Sequence, residues 1–306
     1  MSNSQHNITL YANNRDTIGA EYHSVVILRE DNATCCITRG LKFKQSIWQL
    51  DKILPNNYQL SSQLLEKIDS DLHHNFCLLL SRDVYSEGDS QPLFNYLLAR
   101  QAEFTTEFWQ MMAKWFADEQ KHYEALRRVF RLIAGVSFTE MNQAFAQRSH
   151  EIEPIQAILT DEFTILVALL FDELGSTISY RRDLWEFYRH YGPAIARIGK
   201  QLVIDEGIHF QNAVQLIKNK HGDRLREIPD LLQQIAQLET SLGRYCKTFF
   251  LDHAQEQFRF PSNFNEVIIQ MILAQFGLAH YPEKTNQLWQ WKPESLDFVP
   301  IVTGCH

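Results

Sequence analysis

The sequence predicts an all-α helical bundle preceded by an irregular N-terminal extension that includes a β-hairpin. Three observations carry that prediction. From about Leu60 onward, apolar residues recur at helical spacing. Glycine and proline signals divide this stretch into long segments joined by short connections. Residues 1–45 have a different, β-branched texture.

Taken in order, Ser24–Leu28 (SVVIL) and Thr34–Thr38 (TCCIT) flank Glu30-Asp31-Asn32-Ala33 and read as a hairpin. A first helix is expected over Ser61–Tyr85, with Leu64, Leu65, Ile68, Leu72, Phe76, Leu79 and Leu80 on its apolar stripe. Pro92 interrupts or kinks the chain beyond it. A second helix is expected over Glu103–Ala134, ended by Gly135. A third begins near Thr160-Asp161-Glu162, with acids in its first turn, and runs to about Tyr188. Gly192-Pro193 opens a fourth that continues to Lys220. Two more are expected at about 226–258 and 263–279, and the tail from 282 to 306 reads as irregular. The expected organisation is therefore an extension over 1–45, a helical domain over 46–281 and a C-terminal tail.

Composition narrows the function classes. The chain has 306 residues, 45% hydrophobic and 22% charged, which is globular and ample for a core. Its formal charge of −8 and lack of a basic stripe argue against nucleic-acid binding. No run of about 18 apolar residues suggests a membrane span, and the N-terminus lacks the pattern of a secretory signal, so a cytoplasmic location is expected. Cys35, Cys36, Cys77, Cys246 and Cys305 contain no C-x-x-C pair, which leaves a zinc knuckle unsupported and fits a reducing compartment.

Two segments share a pattern: Asp118-Glu119-Gln120-Lys121-His122 and Asp205-Glu206-Gly207-Ile208-His209. Glu and His three residues apart lie on one helix face, so both can address one ion. About 0.8 Glu-x-x-His matches arise by chance in such a chain, but only about 0.04 with a preceding Asp, and here there are two. A helical bundle that holds two irons uses one Glu-x-x-His from each of two helices and one Glu from each of two others. Four carboxylates offset the charge of the ions, and two imidazoles complete the ligand set.

The lone glutamates are inferred. Glu173 sits amid apolar residues in Leu169–Leu174, where an isolated carboxylate is costly unless paired or metal-bound. Glu162 is its rival on nearly the same face, although its position suits capping. Glu87 is the candidate from the first helical region, because Glu103 and Glu107 share a helix with Glu119.

These residues resemble the soluble acyl-acyl-carrier-protein desaturase family. Trp115–His122 is similar to the family's Trp-Thr-Ala-Glu-Glu-Asn-Arg-His, and Phe171–Ser179 to its third-ligand segment. Asp83-Val84-Tyr85-Ser86-Glu87 before Pro92 resembles its first-ligand stretch, and Trp48-Gln49 with Leu54-Pro55 its Trp-Gln and Leu-Pro pair. The spacings of 54 residues from Glu119 to Glu173 and 33 from Glu173 to Glu206 also match, whereas the 32 from Glu87 to Glu119 are shorter. The likeness covers about residues 46–280.

The resemblance implies a homodimeric ferritin-like bundle that takes two electrons from a ferredoxin-type donor, and dioxygen, to desaturate an acyl chain on acyl carrier protein. It places Trp48 on the electron route, Asp118 and Asp205 behind the histidines, and Ser176 at the position of an active-site threonine. An acidic carrier would meet basic charge, with Arg127, Arg128 and Arg131 or Arg181 and Arg182 as candidates. Related uses of the site fit less well. Leu202 stands where arylamine N-oxygenases have a histidine, and Leu126 where ribonucleotide reductase small subunits have their radical tyrosine. A di-iron hydroxylase and a non-enzymatic ferritin-like iron-binding protein remain as alternatives.

Overall fold

The computed structural model describes residues 9–12, 24–27, 41–148, 151–242 and 263–282. Strands β1 (Thr9–Ala12) and β2 (Ser24–Ile27) pair antiparallel, with Thr9 opposite Ile27. Ser24–Ile27 of the SVVIL run is thus a strand whose partner lies upstream. Thr34–Thr38, its expected partner, lies outside the described residues.

Helices α1 (Leu50–Ile53) and α2 (Ser62–Leu65) are single turns. They are followed by α3 (Ser70–Gly88), α4 (Ser90–Ala99), α5 (Thr106–Ala134) and α6 (Phe138–Ala146). The chain continues through α7 (Glu162–Glu186), α8 (Pro193–Lys220), α9 (Ile228–Leu242) and α10 (Phe264–Gln275).

The helix expected over Ser61–Tyr85 is two pieces. The Asp69 carboxylate accepts from the backbone N–H groups of Asp71 and Leu72, both at 3.0 Å, so a cap starts α3 afresh. Pro92 has no N–H to bond the Gly88 carbonyl, which explains why α3 ends at Gly88 and α4 restarts at Ser90. Thr105 caps α5, and Gly135 closes it at φ 73°, a left-handed conformation suited to glycine. Gly192 at φ 91° turns the chain into α8, whose first residue is Pro193.

The main packing surfaces are α7 on α8, α3 on α5 and α5 on α8. The core forms two apolar clusters. One is built from α4, the first half of α5, most of α7 and the second half of α8. The other takes α3, the second half of α5, the end of α7 and the first half of α8. On α5 and α8, Glu119, His122, Glu206 and His209 fall between the stretches that supply the two clusters, so a polar layer lies between two apolar ones.

Among the described residues, helix α7 alone approaches a membrane span in composition. It is long and apolar enough by composition to cross a bilayer, with a mean hydropathy of 1.3 over 18 residues. Yet 89% of that window is buried inside the bundle, which makes it the central core helix.

Candidate metal centre

Four helices deliver six buried ligand side chains to the polar layer: Glu87 from α3, Glu119 and His122 from α5, Glu173 from α7, and Glu206 and His209 from α8. They fall into two groups, Glu87, Glu119, His122 and Glu206, and Glu119, Glu173, Glu206 and His209. Within each group the ligand atoms lie within 4.8 Å of one another. Glu119 and Glu206 belong to both.

The distances show why. Glu206 places Oε1 at 3.3 Å from His122 Nδ1 and Oε2 at 3.4 Å from His209 Nδ1. Glu119 does the same in reverse, with Oε1 at 3.2 Å from His209 Nδ1 and Oε2 at 3.8 Å from His122 Nδ1. Each therefore has one oxygen on each side, the geometry of a bridging carboxylate. Glu87 reaches only the His122 side, at 3.6 Å, and Glu173 only the His209 side, at 3.1 Å. With a pair of ions bound, these two would each serve one ion only.

Glu87 Oε2, both oxygens of Glu119 and His122 Nδ1 are buried without a hydrogen-bond partner. Leaving such atoms unsatisfied is expensive, and they converge on the places that cations would fill. Four buried carboxylates and two buried imidazoles grouped this way suit a pair of divalent ions of the first transition row.

Protons stand in for cations in the metal-free chain. Burial and then the neighbouring Glu119 charge push the Glu87 carboxyl well above its ordinary range. Burial does the same to Glu173, against the opposing pull of His209. Burial disfavours charge on both imidazoles, but the surrounding carboxylates outweigh it, led by Asp205 for His122 and Glu173 for His209. Both histidines are held well above the usual value.

The surroundings fix the ligands. His122 Nε2 meets Asp205 Oδ2 at 3.1 Å, and Trp48 Nε1 donates to the same oxygen at 2.7 Å. His209 Nε2 meets Asp118 Oδ2 at 3.4 Å. Each aspartate thus serves the histidine of the other motif. The Lys121 ammonium lies 2.7 Å from Asp118 and 3.6 Å from Asp205, and 4.7 Å from the centre of the Trp48 ring. Burial opposes ionisation of Asp118, yet His209 and Lys121 outweigh it and hold its pKa at about 2.

Glu87 and Glu173 are pinned similarly. Trp115 Nε1 donates to Glu173 Oε1 at 2.6 Å, and the Tyr180 hydroxyl donates to Glu87 Oε1. Sequence reasoning missed Trp115 and Tyr180 as site residues, although each is spaced for the ligand face: Trp115 four residues before Glu119, Tyr180 seven after Glu173. It also missed Lys121, which lies inside the motif, and Gln45.

Glu162 is not part of the centre. Its carboxylate accepts from the Thr105 N–H at 2.7 Å and hydroxyl at 3.0 Å, and meets His221 Nε2 at 3.0 Å. It ties the start of α7 to the start of α5. Ser176 lies one turn beyond Glu173, and between Glu162 and Tyr180 only Ser176 and Thr177 escape full burial. Arg128 and Arg182, offered for an acidic partner, are buried. Arg128 Nη1 meets Asp51 at 2.6 Å and the Leu54 carbonyl at 2.9 Å, and Arg182 Nε meets Asp183 at 2.8 Å.

Comparison of the chain with protein-family models, curated proteins and solved structures finds no match in any of the three.

Proposed function

We propose that the chain is an oxygen-dependent di-iron oxidase acting on an unactivated C–H bond, with an acyl chain on acyl carrier protein as its substrate. The observation that carries the reading is the convergence of two Glu-x-x-His motifs and two lone glutamates, with Glu119 and Glu206 facing both histidines. When bound, the two irons would supply the redox chemistry with dioxygen that breaks a strong C–H bond.

The chain's own residues do the remaining work. Glu87, Glu119, Glu173 and Glu206 neutralise the ions, and His122 and His209 complete the set. Asp205 and Asp118 hold the far ring nitrogens and so fix both imidazoles. Trp48, at the edge of the buried core, joins His122 through Asp205 in a continuous hydrogen-bonded path, a route for electrons from a ferredoxin-type donor. The apolar clusters on both sides of the layer exclude water. Ser176, beside Thr177 where the burial of α7 breaks, is the hydroxyl that this reading assigns to the substrate. The desaturation balances when two carbon-bound hydrogens, dioxygen, two electrons and two protons yield an alkene and two waters. A homodimer and a ferritin-like ancestry belong to the same reading.

Purified chain reconstituted with ferrous iron, a reduced ferredoxin and acyl-carrier-protein substrates tests this directly. Loss of two hydrogens in the product mass supports desaturation, whereas gain of one oxygen assigns a hydroxylase. Iron binding with no oxygen consumption in the presence of substrate would leave an iron-binding protein without this activity.

A further inference from the structure

The segment before α1 crosses the back of the centre as an extended strap. Phe43 enters the larger apolar cluster, and Trp48 enters the other. Between them, both backbone groups of Lys44 are clamped by one side chain: its N–H donates to Asn212 Oδ1 and its carbonyl accepts from Asn212 Nδ2, each at 2.9 Å. That clamp sets the register of the next residue. Gln45 Nε2 donates to Asp118 Oδ1 at 3.1 Å and lies 3.5 Å from the Lys114 carbonyl.

The strap thereby anchors two parallel chains of contact. Trp48 holds Asp205, which holds His122. Gln45 holds Asp118, which holds His209. Of the second chain, Asp118 and His209 were singled out from the sequence and Gln45 was not.

We propose that Gln45 is a positioning residue of the metal centre, fixing Asp118 so that Asp118 presents the His209 imidazole to its ion. The Asp118–His209 contact, at 3.4 Å, is longer than the 3.1 Å of Asp205–His122, so its carboxylate depends more on being held from behind. Lys121 neutralises Asp118, but a rotatable ammonium on a flexible stem does not fix a carboxylate plane, whereas an amide carried by a clamped backbone does. Partners behind metal-binding histidines matter about 10- to 100-fold in metal affinity.

The inference rests on the reading of this cluster as a metal centre, and the test separates the two. Cobalt(II) alone is titrated into the metal-stripped full chain, followed by visible ligand-field absorption and chelator competition. The wild type takes up about two ions per chain. Gln45→Met, which keeps size but removes the donor, weakens one of the two sites about 10-fold and leaves the other unchanged. Its metal-free melting temperature stays within about 2 °C of wild type, as for a substitution at a half-exposed position. Asp118→Asn weakens the same site, and the double variant is no weaker than Asp118→Asn alone, because the two act through one contact. Gln45→Glu, of the same shape, sets a carboxylate against Asp118 and weakens that site further. Gln45 variants that bind both ions like wild type, or losses that add in the double variant, overturn the role of Gln45 while the centre stands. A wild-type chain that binds no cobalt overturns the centre and this inference with it.

Discussion

Glu87 keeps one oxygen on the Tyr180 hydroxyl and turns the other, without a partner, toward His122. A carboxylate buried this way serves metal binding at the expense of the metal-free fold. Glu87→Gln should therefore raise the stability of the metal-free chain by about 1 kcal/mol, measured by chemical denaturation, while removing binding at one ion. The histidines give a pH signature. Their folded-state pKa values are raised, so the stability they contribute is fully present below about pH 6.5 and is lost as pH climbs through the raised values. The melting temperature of metal-free protein should fall as pH rises above about 6.5, and metal loading should flatten the decline. Five of the six candidate ligands were legible in the sequence because Glu-x-x-His repeats within a turn and because Glu173 is an acid in an apolar run, whereas Glu87 was reached only by elimination and resemblance. Trp115 and Tyr180 sit at ligand-face spacing, but their partners lie 58 and 93 residues away, and spacing alone does not say which glutamate each meets.

At the scale of elements, α8 carries two glycines with opposite surroundings. A Cβ on Gly199 would lie 2.8 Å from Tyr188 Cγ, so helix and ring approach as closely as they do because the side chain is absent. A Cβ on Gly207 would meet nothing within 4 Å. Gly199→Ala should cost about 1–3 kcal/mol, and Gly207→Ala should gain about 0.5–1 kcal/mol from helix propensity alone, both readable by thermal or denaturant unfolding. The long helices were predictable from their apolar periodicity and their caps. The restart at Asp69 was not, because the same apolar stripe runs through both α2 and α3 while the cap is a single side chain. The strap was hidden for a related reason. Leu41 to Gln45 carry no regular periodicity, so they read as part of the extension over 1–45, yet Phe43 packs in the core and Gln45 reaches Asp118.

For the molecule as a whole, the bundle consists of two apolar halves joined across a layer of buried charge. Such a layer destabilises the fold unless opposite charge enters it. Ions that bind the folded chain and not the unfolded one should stabilise it by several kcal/mol at saturating concentration, so chelation should lower the melting temperature markedly and restored metal should reverse the loss. The most direct test is the metal content of the folded chain after anaerobic loading with ferrous iron and removal of excess. About two irons per chain, falling on His122→Ala or His209→Ala, is the predicted result. A folded wild-type chain that holds none, or one whose iron survives loss of both histidines, would contradict the assignment of this layer as a di-iron centre.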